Sequence, residues 1–80
     1  MEEGQIFQVK EKIGVFAPDE WLVLDHIITK HYNYYRVCLK NASVYQAIGI
    51  LDDSVFRYGL EKGIIILKGS KKIKRKKESA

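Results

Sequence analysis

Apolar and polar residues alternate over the first part of the chain, a pattern that predicts a β-strand. This first strand begins at Gln5 and places four apolar side chains on one side, namely Phe7, Val9, Ile13 and Val15. The residues between them are mostly polar. A period of two is typical of a strand with one buried face. Pro18 followed by Asp19 predicts a type I turn that ends the strand.

The rest of the chain predicts three more strands, a helical turn and a fifth strand. The predicted strands cover residues 21–28, 34–40, 44–51 and 64–67, which are rich in β-branched and aromatic residues. Residues 52–63 begin with the capping residues Asp52 and Asp53, and Gly59 and Gly63 limit them to a turn or two of helix. We expect four aromatic side chains in the core: Phe7, Trp21, Tyr35 and Phe56.

These elements predict an all-β domain. Short connections favour antiparallel neighbours, and five short strands bury apolar surface economically when the sheet curls into a small barrel. A helical turn before the last strand is the layout of SH3-like small barrels, an analogy of architecture without a family motif. The alternative is an α+β domain with a helix near residues 43–61. Gly49, the β-branched Val44, Ile48 and Ile50, and the break at residues 52–53 disfavour this helix.

The net charge of +4 is distributed unevenly along the chain. Residues 1–68 carry eight Lys or Arg and nine Asp or Glu, a net charge of −1, whereas residues 69–80 carry six and one, a net charge of +5. A run of like charges with one large apolar side chain, Ile73, predicts disorder. The predicted organisation is therefore a barrel domain at residues 1–68 and a disordered basic tail at residues 69–80.

Cations and aromatic residues make nucleic acid a candidate partner. Tyr32 and Tyr34 alternate with Lys30 and Arg36, and aromatic faces beside cations suit stacking on unpaired bases. The tail adds six cations that suit phosphates, namely Lys71, Lys72, Lys74, Arg75, Lys76 and Lys77. The tyrosines equally suit a protein interface, or simple packing between neighbouring strands.

Few side chains suit catalysis. The reactive groups are His26, His31, Cys38 and Asp25, and nothing in their spacing places a nucleophile beside a base. The two histidines and one cysteine also lack the spacing of a metal site. With one cysteine the chain forms no internal disulfide. We expect a protein that is not an enzyme and that has no cofactor and no metal.

The predicted function is that of a small binding module associated with DNA or RNA, in which the tail attracts phosphates and the barrel surface gives specificity. The alternative is an adaptor or a homo-oligomer whose tail serves only solubility or targeting. The sequence shows no export signal and no apolar run of the ~20 residues that span a bilayer, so we expect a cytoplasmic protein without membrane contact. In a eukaryotic host the basic run would also suit nuclear import.

Overall fold

The computed structural model describes residues 1–73 of the chain. Five strands and one helix follow in the order β1 (Gln5–Val9), β2 (Asp19–Ile28), β3 (Asn33–Leu39), β4 (Gly49–Asp52), α1 (Asp53–Glu61) and β5 (Ile65–Ser70). The strands form one antiparallel sheet in the order β4-β3-β2-β1-β5. The structure therefore confirms the mostly β fold with a short helix before the last strand.

The sheet has two edges, β4 and β5. Within residues 1–73 no ladder joins these two strands, so closure into a barrel is not confirmed. Helix α1 connects the two edges and packs against β3, β4 and β5. The register shifts between Val23 and Asp25 where β2 pairs with β3, and between Ile6 and Phe7 where β1 pairs with β5. Such bulges bend a sheet and increase its twist, which helps it to wrap around a core.

The main core lies on the face of the sheet that α1 covers. Its buried side chains come from all five strands, from the helix and from the loop before β2: Phe7, Val9, Phe16, Trp21, Val23, Tyr35, Val37, Leu51, Phe56 and Ile65. The four aromatic residues that the sequence placed in the core are all among them. Trp21 meets Phe16 edge to face at 5.0 Å between ring centroids.

A second, smaller cluster lies on the opposite face of the sheet. Leu22 and Leu24 alternate with the core residues of β2, and Cys38 lies opposite Leu22 on β3. All three are buried, because Ala42, Tyr45 and other partly buried residues cover them. Residues from distant parts of the chain therefore bury this face of the sheet around Cys38.

The first strand is shorter than predicted. It ends at Val9, and Ile13 and Phe16 then form an isolated bridge around a tight turn. Gly14, with φ of +60°, occupies the left-handed region that this turn requires. Val15 is consequently 80% exposed rather than buried. The alternation of apolar residues continued past the strand, but the chain turned away from the sheet.

The fourth strand is also shorter than predicted. Only Gly49–Asp52 pair with β3, while residues 43–48 form a loop without helix or strand. This loop carries Tyr45 over the second cluster. The alternative of a helix near residues 43–61 is wrong for its first half, and the helix covers only residues 53–61.

Helix α1 is a nine-residue α-helix with a defined start and end. The side chain of Asp52 accepts a hydrogen bond from the backbone N–H of Ser54 at 3.2 Å. At the other end Gly63 has φ of +75°, and the N–H groups of Gly63 and Ile64 donate to the carbonyls of Leu60 and Gly59. These two hydrogen bonds together form a Schellman motif. Across residues 1–73, no helix has the length and apolar character needed to cross a bilayer.

Strand β5 runs to Ser70, past the expected domain boundary at residue 68. The side chain amide of Gln5 donates to the carbonyl of Gly69 at 2.8 Å, and the N–H of Lys71 donates to the carbonyl of Gly4 at 2.8 Å. Pairing with β1 thus orders the first residues of the predicted tail. The later residues 74–80 lie outside the described part of the chain.

Candidate nucleic-acid interface

The turn between β2 and β3 presents one exposed aromatic ring. Thr29 fixes the turn, because its hydroxyl accepts hydrogen bonds from the backbone N–H groups of His31 and Tyr32 at 3.2 and 3.0 Å. Tyr32 is 65% exposed, and the ring of His31 lies edge-on to it at 6.5 Å. Lys30 is exposed in the same turn. This hairpin tip therefore offers a stacking surface beside a cation.

Tyr34 and Arg36 lie on β3, and the exposed Arg36 is held in an ion pair. Tyr34 is half-buried. The guanidinium of Arg36 donates two hydrogen bonds to the two carboxylate oxygens of Asp25, at 2.8 and 2.5 Å. This bidentate pair raises the pKa of Arg36 above its usual value, chiefly through the hydrogen bonding. Its charge is balanced within the sheet, so a phosphate would have to compete with Asp25.

The start of the basic run meets a third tyrosine. The ammonium of Lys71 lies 5.1 Å from the centroid of the Tyr45 ring and donates to the backbone carbonyl of Lys40 at 3.3 Å. The ammonium of Lys40 is 2.9 Å from Glu20, and Lys72 is exposed. We call Lys40, Tyr45, Lys71 and Lys72 the tail-root group. Within this group Lys71 lies over the half-buried ring of Tyr45, the ammonium of Lys40 pairs with Glu20, and Lys72 follows Lys71 in the sequence.

Tyr45 and Lys40 were absent from the residues that the sequence singled out. Local pattern placed Tyr45 in a strand, where it looked like an ordinary β-sheet residue. Its meeting with Lys71 depends on the path of loop 43–48 across the second cluster and on the return of the chain after β5. No local signal in the sequence reports such a contact.

The candidate cations and tyrosines form two groups rather than one continuous site. Tyr32 lies at one end of β3 and Lys40 follows its other end. At about 3.3 Å per residue, the seven residues of β3 separate them by roughly 20 Å. The structure brings Lys71 and Lys72 to the Lys40 end, whereas Lys30 stays at the Tyr32 end. Lys74, Arg75, Lys76 and Lys77 lie outside the described residues.

The reactive side chains do not form a catalytic group. Cys38 is 1% exposed in the second cluster, and burial raises the pKa of its thiol. His26 instead lies opposite Tyr35, stacks on its ring at 4.1 Å and shares a hydrogen bond of 2.6 Å with Asn33. Among residues 1–73 no three His, Cys, Asp or Glu side chains are grouped as metal ligands.

One surface depression of about 420 Å³ lies between the end of β1 and the start of β2. It is lined by Gln8, Val9, Lys10, Pro18, Asp19 and Glu20. No histidine, cysteine or tyrosine takes part in this lining.

Comparisons with protein-family models, with curated proteins and with solved structures found no match to this chain. The functional assignment therefore rests on the geometry and charge of the molecule itself.

Proposed function

We propose that the protein is a small non-enzymatic binding module for nucleic acid, with the tail-root group as its main contact. One observation carries this proposal: the basic run begins where Lys71 lies over Tyr45 and beside Lys40. A cation and an aromatic ring at one place suit a phosphate and the base attached to it. Four further cations follow immediately in the sequence.

Charge and stacking have separate roles in this proposal. The net charge of +5 on residues 69–80 supplies attraction to phosphates without sequence preference. The folded part adds little net charge, since Arg36, Lys40 and Arg57 each pair with a carboxylate. Any preference among nucleic acids then comes from Tyr45 and from Tyr32 at the hairpin tip.

The proposal also includes a type of domain and a cellular compartment. The strand–helix–strand layout of β4, α1 and β5 supports an SH3-like barrel as the type of domain. A single cysteine with a buried thiol supports a reducing compartment such as the cytoplasm.

Salt-dependent titrations with a single-stranded oligonucleotide test the proposal. Six tail cations at about −0.7 each predict a log–log salt slope approaching roughly −4. Ending the chain after Ile73 removes four of these cations and keeps the tail-root group, so the slope should become shallower by roughly 3. Failure of the full chain to bind at low salt would refute nucleic-acid binding.

Tyrosine substitutions test the stacking part. Tyr45→Ala and Tyr32→Ala should each weaken binding by ~1–3 kcal/mol per stacked base and leave the slope unchanged. Tyr58→Ala is a matched control, because Tyr58 is 52% exposed and lies 5.8 Å from an ammonium, that of Lys62, but belongs to α1. Equal losses for Tyr45→Ala and Tyr58→Ala would remove the tail-root group from the interface.

A second candidate function is that of an adaptor or homo-oligomer. Val44, Ile48 and Ile50 are each at least 60% exposed, and they lie on or just before β4, an edge strand. Exposed apolar residues beside an unpaired strand edge favour association with another chain. Sedimentation across a range of protein concentrations would detect self-association, which Ile50→Lys should abolish if this edge is used.

A further inference from the structure

Residues 71–73 cross the sheet after β5, and we call them the strap. Their backbone is anchored at one point near the start of the chain. The N–H of Lys71 donates to the carbonyl of Gly4, and the N–H of Gly4 donates to the carbonyl of Val23, both at 2.8 Å. The strap is therefore connected through Gly4 to the central strand β2.

Gly4 permits this close approach. It is buried and has φ of +91°, in the region that favours glycine. A Cβ atom at this position would lie 2.5 Å from the carbonyl oxygen of Lys71. Because that oxygen belongs to the backbone, a larger residue at position 4 would displace the strap itself.

The strap also contributes an apolar contact. Ile73 packs against the second cluster, together with Tyr45 and Ala42. It thereby helps to cover Leu22 and Cys38, which are 0% and 1% exposed. The one large apolar residue of the basic run thus has a definite partner in the folded domain.

We propose that the strap holds Lys71 in the tail-root group, so that polyanion binding and strap docking are coupled. Docking holds Lys71 over Tyr45 and beside the backbone carbonyl of Lys40, whereas an undocked strap would leave this cation to be ordered by the ligand. A polyanion that contacts the tail-root group therefore binds the docked form more tightly. By linkage it stabilises docking by the same factor. The coupling rests on the proposed function, but the docking does not.

The accessibility of Cys38 reports docking directly. It is the only cysteine of the chain and belongs to the cluster against which Ile73 of the strap packs. Ile73→Ser should raise the rate at which Ellman's reagent modifies Cys38 about fivefold, because the apolar contact of Ile73 with this cluster is lost. Ile50→Ser is the matched control, since Ile50 is 60% exposed on β4, and it should leave the rate unchanged. An unchanged rate in Ile73→Ser would overturn the docking.

Gly4→Ala is a second substitution that should undock the strap. It should also accelerate Cys38 modification while circular dichroism shows the native sheet. If Gly4→Ala unfolds the protein, Ile73→Ser alone decides the question, because it alters only a partly buried side chain.

The coupling is tested with oligo(dT) in low salt. Saturating oligo(dT) should slow Cys38 modification in the wild-type protein about fivefold. In Ile73→Ser, saturating oligo(dT) should slow the faster modification by a similar factor, and the salt slope of binding should be unchanged, since no cation is lost. Modification that is unaffected or accelerated by bound oligo(dT) would overturn the coupling. Absence of any oligo(dT) binding would refute the proposed function and leave the docking result standing.

Discussion

Tyr35 shows how one buried residue links the sheet to the helix. It is 3% exposed, its ring meets Phe56 of α1 edge to face at 5.4 Å, and its hydroxyl donates to Asp53 at 3.1 Å. Burial, followed by the hydrogen bond and the negative charge of Asp53, raises the pKa of Tyr35 to about 12 from a usual value of 10.0. The folded state therefore prefers the neutral phenol.

The preference for the neutral phenol predicts that the free energy of unfolding falls at alkaline pH. The unfolded chain loses the Tyr35 proton near pH 10 and the folded chain near pH 12, so the contribution is complete below pH 10 and is lost as pH rises between them. At 1.36 kcal/mol per pKa unit it amounts to roughly 2–3 kcal/mol. We expect Tyr35→Phe to flatten this decline in urea unfolding measured from pH 8 to 12. Tyr32→Phe is the control, because Tyr32 is exposed. The prediction would be contradicted if the stability of the wild-type protein and of Tyr35→Phe declined in parallel over this pH range.

At the scale of elements, α1 depends on close packing where it meets β5. Gly59 lies inside the helix and is buried, although glycine usually weakens a helix interior. A Cβ atom there would come within 2.5 and 2.6 Å of Cδ1 and Cγ1 of Ile65, which is itself 2% exposed in the core. The glycine therefore lets the helix approach the last strand.

Gly59→Ala should destabilise the protein in spite of its better helix propensity. The overpacking cost of ~1–3 kcal/mol exceeds the gain of ~1 kcal/mol from alanine. Ile65→Val removes the Cδ1 atom, so a double-mutant cycle by urea unfolding should show a favourable coupling of ~1 kcal/mol.

Gly63→Ala provides the control for this cycle. It introduces strain at φ of +75° with no side chain within 4 Å, so Ile65→Val should not rescue it. A stabilising effect of Gly59→Ala would show that α1 can move away from β5 at little cost.

At the scale of the whole molecule, the charge of the basic run opposes association through the exposed edge strand β4. Residues 1–73 carry ten Lys or Arg and nine Asp or Glu, a net charge of +1 compared with +4 for the full chain. Proteins near zero net charge associate more readily, and β4 carries exposed Ile50 on an edge without lysine or proline.

A chain ending at Ile73 should therefore be less soluble than the full protein. We expect precipitation by ammonium sulfate at a lower salt concentration and stronger light scattering at equal protein concentration. Ile50→Lys in the shortened chain should restore solubility more than Val15→Lys, because both add one charge at an exposed apolar position but only Ile50 lies on the strand edge. Equal restoration by the two would attribute the effect to charge alone.

The sequence by itself determined the order of the elements and the four aromatic residues Phe7, Trp21, Tyr35 and Phe56 of the main core. Alternation placed Phe7 and Val9 on one buried face, a continuous apolar run predicted β2, and Asp52 and Gly63 mark the start and end of α1. These signals are local, because a strand or a helix cap depends on residues a few positions apart. The uneven distribution of charge along the chain also followed from the sequence alone, because it requires only a count of the charged residues.

The tertiary structure alone decided how the second face of the sheet is covered. Tyr45 and Ile73 come from separate parts of the chain and both pack against the cluster that contains Cys38, and Lys71 pairs with Gly4 near the opposite end of the sequence. Such contacts depend on the path of loops and on close backbone approach, for which a single sequence carries no periodic signal. For the same reason the sequence assigned base stacking to Tyr32 and Tyr34 and overlooked Tyr45, to which the folded chain brings Lys71.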